Sequence, residues 1–114
     1  MYIRYAFFEG HVKDGMSAAF YQFVRERLVP LWVTFPGATE VRVLRQEDSD
    51  TPAPHYALVL AIKYPNLAAI DEALKSDVRA QSREVTKDLV KMFDGRIFHT
   101  VFKAEHDEVL KVAG

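Results

Sequence analysis

Three polar side chains interrupt otherwise apolar, strand-like segments, and these are the residues best suited to chemistry. Arg4 lies in YIRYAFF, Arg42 in TEVRVLRQ and His99 in RIFHTVFK. An imidazole among apolar neighbours titrates near neutral pH and can accept or donate a proton. A guanidinium presents a rigid fork of donors that suits a carboxylate or an enolate oxygen. The sequence therefore predicts proton transfer at His99, with Arg4 or Arg42 stabilising an anion.

Each of these residues also has an ordinary structural explanation. A histidine on a strand can hydrogen-bond to a backbone carbonyl or face solvent at a sheet edge. Arg4 and Arg42 can form salt bridges to Glu9 and Glu40 or across a subunit seam, and charges on edge strands also block edge pairing. The charges between Lys75 and Lys91 recur at helical spacing and are interpreted as a solvated face.

Three aromatic residues are further candidates for contact with a ligand. Phe8 shares a strand face with Arg4, Trp32 follows the proline at position 30, and Tyr56 carries a hydroxyl at a strand end. Aromatic side chains at such places commonly pack in the core or cover its rim, so packing is the alternative explanation.

The remaining histidines and the glycines form no recognisable motif. His11 and His55 lie in predicted loops, but no histidine or carboxylate pair has the spacing of a metal site. No glycine-rich phosphate loop and no serine-hydrolase elbow occurs. We therefore expect neither a metal nor another cofactor. Haem ligation by His11, His55 or His99 remains a weaker option that no motif positions.

The composition excludes several classes of protein. The chain has 114 residues, the size of one domain, with 15 Lys and Arg against 16 Asp and Glu. That balance argues against nucleic acid as a partner, and the absence of cysteine excludes disulfides and thiolate chemistry. The longest uncharged stretches, 28–39 and 51–62, are too short to span a membrane. A cytoplasmic protein is the default expectation.

Periodicity predicts six elements in the order β-α-β-β-α-β. Alternating or continuous apolar runs predict strands, and apolar residues at spacings of three and four predict helices. Asp14 is a plausible start of the first helix, Pro30 should kink or end it, Asn66 and Ser76 should cap one broken helix or two, and Asp94-Gly95 should end the last. The predicted strands are 2–8, 39–46, 56–64 and 96–103, and the predicted helices are 16–28 and 66–92.

This order predicts an α+β ferredoxin-like fold with the antiparallel sheet order 4-1-3-2 and both helices on one face. Residues 1–103 would form the domain, and 104–114 a tail that adds a short helix or an arm. Both faces of strands 1, 3 and 4 are apolar, and an uncovered face of that kind exceeds what soluble monomers usually tolerate. We therefore expect a homodimer whose facing sheets close a dimeric α+β barrel around an apolar chamber.

Two segments resemble EthD-like proteins of the dimeric α+β barrel superfamily. FYQFVRERLVPLWVTFPG resembles their first helix, which leads into His-x-Pro-Leu and a Pro-Gly turn, and Pro30, Leu31, Pro36 and Gly37 match. DLVKMFDG resembles their second helix, with Asp88 and Phe93 before a turn. The family histidine is Leu28 here, so any role of that histidine is not carried over.

The resemblance implies a small apolar barrel chamber shared by cofactor-free monooxygenases, isomerases, cyclases and stress-induced proteins. Our first hypothesis is a cofactor-independent oxygenase, isomerase or lyase that acts on a small apolar or aromatic compound. The alternative is a non-catalytic homodimeric ligand-binding or stress-response protein of unknown function. A cavity of about 300 Å³ or more favours a ligand site, because smaller voids do not admit a typical ligand.

Overall fold

Four strands and four short helices follow one another in a computed structural model that describes residues 1–114. A π-helical turn, Val24–Leu28, joins the first two helices, and a 3₁₀ turn, Val90–Met92, precedes the last strand. The elements are β1 (Tyr2–Val12), α1 (Ser17–Phe23), α2 (Val29–Trp32), β2 (Glu40–Leu44), β3 (Tyr56–Tyr64), α3 (Leu67–Leu74), α4 (Asp77–Leu89) and β4 (Phe93–Lys103).

The strands form one antiparallel sheet in the order β2-β3-β1-β4. This confirms the predicted ferredoxin-like fold and strand order, with β3 and β1 in the centre and β2 and β4 at the edges. In the register, Ala6 of β1 lies opposite Leu60 of β3 and His99 of β4. Paired residues share a face of the sheet, so these three side chains define one face together.

The helices cover that face. Ala6 and Phe8 of β1 and Leu60 of β3 belong to one core cluster with buried residues of the helices, including Phe20 of α1 and Leu89 of α4. The alternate residues of β1 lie outside this cluster and point to the opposite face. Leu28, which replaces the histidine of the EthD-like pattern, is fully buried in the same core.

The first helical region differs from the prediction at both ends. Asp14 does not cap it: Asp14 and Gly15 form a turn in which the Met16 amide donates to the Lys13 carbonyl at 3.0 Å, and α1 begins at Ser17. Pro30 does not end the region. The amide of Val29 donates to the carbonyl of Val24, five residues back, and this wider turn carries the chain into α2, with Pro30 in its first turn.

The predicted boundary before β4 is also wrong. Asp94 and Gly95 do not end a helix; they pair with His11 and Gly10 and extend β4 back to Phe93. At Gly10, with φ of +141°, an added Cβ would lie 2.1 Å from the carbonyl oxygen of Asp94. The two strands approach this closely because both positions are glycine.

The caps after β3 are confirmed, and the broken helix is two helices. The Asn66 side chain accepts from the amide of Ala69 at 2.8 Å, and Ser76 accepts from the amide of Arg79 at 3.3 Å. β2 is shorter than predicted and ends at Leu44.

The tail contains no helix. The Ala104 amide donates to the Met1 carbonyl at 2.9 Å, and the terminal amino group lies 3.1 Å from a carboxylate oxygen of Asp107. The tail therefore lies beside the start of its own chain. Among the helices, none has the length and apolar character needed to cross a membrane.

Candidate functional site

A half-open cavity of about 810 Å³ lies between the helix-covered face of the sheet and α4. The chamber expected from the sequence lies elsewhere, between the facing sheets of a dimer, and the single chain does not test it. The volume falls in the range of small-molecule sites. The lining residues are Arg4, Ala6, Phe8, Trp32, Phe35, Leu60, Ile62, Arg79, Ala80, Ser82, Arg83, Glu84, Thr86, Lys87, Ile97 and His99.

The sheet side of the cavity brings together Arg4 and His99. His99 pairs with Ala6, and Arg4 pairs with Val101, two residues further along β4. Arg4 and His99 are therefore diagonal neighbours on one face, a separation of about 7–8 Å between backbones that long side chains bridge. Of the four histidine rings, only that of His55 hydrogen-bonds to the protein. Both ring nitrogens of His99 are thus free to meet a ligand.

The helical side supplies the apolar and the cationic parts of the wall. Trp32 ends α2, Phe35 follows it, and both are buried. Arg79 and Arg83 lie one turn apart on α4, whose start is fixed by the Ser76 cap. The hydroxyl of Ser82 donates to the Arg79 carbonyl at 2.9 Å, so this buried serine is satisfied within its own helix.

The three arginines of the cavity have no acidic partner. None of the six ion pairs in the chain involves Arg4, Arg79 or Arg83. The one carboxylate that lines the cavity, that of Glu84, binds Lys87 at 2.9 Å. Burial and then the neighbouring Arg79 lower the pKa of Arg4, although a guanidinium stays charged at neutral pH.

His99 is uncharged at neutral pH in this setting. The residue is exposed on an edge strand, but its ring borders the cavity. Loss of water around the ring, followed by the positive charges of Arg4, Arg79 and Arg83, lowers the pKa of His99 to about 4. A neutral imidazole can accept a proton, and any negative charge that enters the cavity makes it a stronger base.

The lowered pKa of His99 predicts acid sensitivity. Between pH 6.5 and about 4 the unfolded chain binds a proton at this position and the folded chain does not, so folding stability falls as pH falls through this window. We expect the wild type to lose more free energy of unfolding than His99→Asn between neutral pH and pH 4.5. Urea denaturation across that range measures the difference. His106→Asn, in the exposed tail, should follow the wild type, and parallel curves for wild type and His99→Asn would refute the assignment.

Four of the six residues singled out in the sequence line the cavity: Arg4, Phe8, Trp32 and His99. Arg42 does not, because its strand position places it on the opposite face, where it is exposed and binds Glu40. For Arg42 the structure therefore shows the ordinary explanation, a salt bridge to Glu40.

Tyr56 also lies away from the cavity, on the face without helices. Its ring centroid is 5.3 Å from that of Phe7, which in turn stacks on Phe98 at 5.1 Å and on Tyr5 at 5.5 Å. Tyr5 meets the ring of Phe102, which is 50% exposed, at 5.2 Å. We call this set of five rings the open-face cluster. Its presence confirms that this face of the sheet is apolar.

Sequence reasoning missed Arg79, Arg83 and Phe35. The two arginines belong to the charges interpreted as a solvated face of the helix, and only their spacing of four residues marked a shared stripe. His11 and His55 lie outside the cavity. Their rings stack on each other with centroids 4.3 Å apart, and His55 Nδ1 lies 2.8 Å from the Gly10 carbonyl oxygen. No three His, Asp or Glu side chains converge as a metal site requires.

Comparisons with solved structures connect the chain to other proteins through its fold. It is similar to an ethyl tert-butyl ether D (EthD) family protein from Bacillus halodurans, with a TM-score of 0.67 and 16% identity over 91% of this chain and 99% of that chain. It is similar to SnoaB, a cofactor-independent oxygenase from Streptomyces nogalater, with a TM-score of 0.61 and 17% identity over 92% and 94% of the two chains.

An antibiotic biosynthesis monooxygenase gives a TM-score of 0.62 at 15% identity, over 91% of this chain and 98% of that chain. These similarities confirm the resemblance to EthD-like proteins at the level of the fold. No family model matches the sequence, and no curated protein matches it.

Proposed function

We propose, from this shared fold and the cavity, that the chain is a small cofactor-independent enzyme that removes a proton from an apolar or aromatic substrate. The proposal rests chiefly on the neutral imidazole of His99 beside the unpaired guanidinium of Arg4 in a cavity with aromatic and aliphatic walls. A base and an anion stabiliser at one site are what the formation of an enolate or phenolate requires. SnoaB, a cofactor-independent oxygenase, has the same fold and supports a proposal of this class.

The proposed step is a proton transfer from the substrate to His99. A carbon–hydrogen or oxygen–hydrogen bond of the substrate breaks, and its proton passes to an unprotonated ring nitrogen of His99. The electron pair stays on the substrate, where Arg4 stabilises the oxyanion. Return of the proton at a second carbon is an isomerisation, loss of a leaving group is a lyase reaction, and electron transfer from the anion to dioxygen begins an oxygenation.

Hydrogen–deuterium exchange into a ketone tests the step without knowledge of the natural substrate. 2-Tetralone is a suitable probe because it is small and aromatic and because its benzylic hydrogens beside the carbonyl are acidic. We expect the wild type to accelerate exchange, followed by proton NMR in deuterated buffer, above the rate in buffer alone. Exchange no faster than in buffer would refute proton removal from this class of probe.

Arg4 should contribute to this exchange through the oxyanion. We expect Arg4→Gln to slow exchange by about tenfold, the effect of losing one charge-assisted hydrogen bond. The control is Arg42→Gln, because Arg42 has the same side chain but lies on the opposite face. Equal slowing in both variants would show that the effect does not arise in the cavity.

A non-catalytic ligand-binding protein is the second candidate, and one observation favours it. With a pKa of about 4, His99 is a weak base at neutral pH. Under this alternative, 2-tetralone or a similar compound binds in the cavity without accelerated exchange. The same NMR experiment separates the two functions, because binding shifts the His99 ring signals whether or not exchange follows.

We further propose that the functional unit is a homodimer in which two open-face clusters pack against each other. The five rings of that cluster share one face, and no helix of the chain covers them. An apolar patch of this kind marks an interaction site, and a second copy offers an equal patch under two-fold symmetry. The cavity lies on the other side of the sheet, so each protomer would hold its own ligand.

A further inference from the structure

The proposed proton transfer leaves two charged groups of the cavity unused. Arg79 and Arg83 face the same space as His99, and neither has an acidic partner. The only side-chain hydrogen bond of either guanidinium is that of Arg79 to the Leu74 carbonyl, at 3.4 Å. Arg4 alone is enough to stabilise an oxyanion at the reacting centre. The two arginines of α4 therefore call for a separate explanation.

Arg79 is half-buried and Arg83 is exposed, and their two positive charges lie close together on α4. Like charges one helical turn apart repel each other. Burial, and then the charge of Arg83, lower the pKa of Arg79. The concentration of positive charge is local, because the chain as a whole has a net charge of −1. An anion bound between the two guanidiniums removes the repulsion and supplies the missing partner.

The rest of the cavity indicates what the anion is attached to. Trp32 and Phe35 are buried at the cavity wall, and Phe8 and Ile97 of the sheet border the same space. A ligand that fills this cavity has an apolar body as well as a negative charge. We propose that the ligand is an aromatic or alicyclic carboxylic acid, with its carboxylate between Arg79 and Arg83 and its ring against Trp32 and Phe35. This inference rests on the proposed function, because it names the substrate class for the same cavity.

A bound carboxylate has a consequence for His99. Arg79 and Arg83 are among the charges that lower the pKa of His99, and a carboxylate compensates them. The pKa of His99 should therefore rise when such a ligand binds. The substrate's own charge then makes His99 a better base, and compounds without the charge are poorer substrates.

The test compares two probes of equal shape and different charge. 2-Naphthoate carries a carboxylate, and 2-naphthamide replaces it with a neutral amide. We expect calorimetry to give a dissociation constant about tenfold or more lower for 2-naphthoate than for 2-naphthamide with the wild type, as for a charge-assisted pair. NMR titration of the His99 ring should show a higher pKa with 2-naphthoate and no such rise with 2-naphthamide.

Substitution of the two arginines shows whether the preference for 2-naphthoate over 2-naphthamide arises at Arg79 and Arg83. Arg79→Gln/Arg83→Gln should abolish it by weakening 2-naphthoate binding and leaving 2-naphthamide binding within about twofold. Lys91→Gln, which removes one positive charge outside the cavity, should preserve it and is the matched control for Arg83→Gln. Arg83→Gln alone keeps the test decisive if the double variant does not fold, because Arg83 makes no hydrogen bond that the fold needs. It should reduce the preference at least about threefold.

Three outcomes overturn the inference. A preference that survives in these variants places the carboxylate elsewhere. Inorganic phosphate that competes as strongly as 2-naphthoate assigns the arginines to phosphate instead. Equal binding of the two naphthyl probes refutes the acid. The proposed function is tested separately by deuterium exchange into 2-tetralone: exchange that is still faster than in buffer leaves it standing without the acid, and exchange no faster than in buffer refutes it as well.

Discussion

Replacing His99 by glutamine should slow deuterium exchange into 2-tetralone by about a hundredfold or more, toward the rate in buffer, because a positioned base contributes about 10²–10⁴ to such a step. Glutamine keeps the length and polarity of the side chain but does not accept a proton at neutral pH. The effect should exceed that of Arg4→Gln, because the base forms a bond to the proton whereas the guanidinium only stabilises the product anion.

The matched control for this experiment is His106→Gln, which removes an imidazole from the exposed tail. It should leave the exchange rate unchanged. Unaltered exchange in His99→Gln would remove His99 from the mechanism. Calorimetry then shows whether the cavity of His99→Gln still binds 2-naphthamide. Retained binding with slow exchange means that only the base is lost, whereas loss of binding means that the cavity itself is disrupted.

The second large effect concerns the open-face cluster. We expect the wild type to sediment with twice the mass of one chain, and Phe98→Asp to sediment as a single chain. Phe98 stacks on Phe7 near the centre of the cluster, so a carboxylate there would be buried without a partner in the dimer. Burial of an unpaired charge at an interface costs several kcal/mol, on the order of 3–5, which is enough to dissociate a dimer at micromolar concentration.

Val33→Asp provides the comparison for this variant. Val33 is an apolar residue with 59% exposure that lies in the turn after α2, outside the sheet. It should leave the sedimenting mass unchanged, because it adds the same charge away from the proposed interface. A wild type that sediments as one chain at these concentrations would refute the dimer, and dissociation by both variants would show that the open face is not the contact.

Much of the fold could be predicted because strand and helix patterns in this chain are strong. The sequence of β3 is a nearly continuous apolar run, which is typical of a central strand. The caps Asn66 and Ser76 mark the starts of the two helices that follow it. The boundaries were less predictable. Asp94-Gly95 has the composition of a turn, but Gly95 pairs with Gly10 of the neighbouring strand β1. This pairing depends on a residue far away in the sequence, so local composition does not predict it.

The position of the cavity could not be read from the sequence for a different reason. Alternation along β1 correctly groups Arg4 with Phe8, but the face of Tyr5 and Phe7 is just as apolar. Nothing in the composition says which of two apolar faces the helices cover. The sequence predicts a solvated stripe that includes Arg79 and Arg83. Arg83 is indeed exposed, but only the packing of α4 over the sheet shows that both arginines also border the cavity.

An NMR measurement of contacts between 2-naphthoate and the side chains of the two faces shows directly where the ligand binds. We expect nuclear Overhauser effects from the naphthyl protons to the rings of His99 and Trp32, and none to Phe7 or Phe98. Contacts to Phe7 and Phe98 with none to His99 and Trp32 would contradict this expectation, because the ligand would then lie on the open face and not between the sheet and α4.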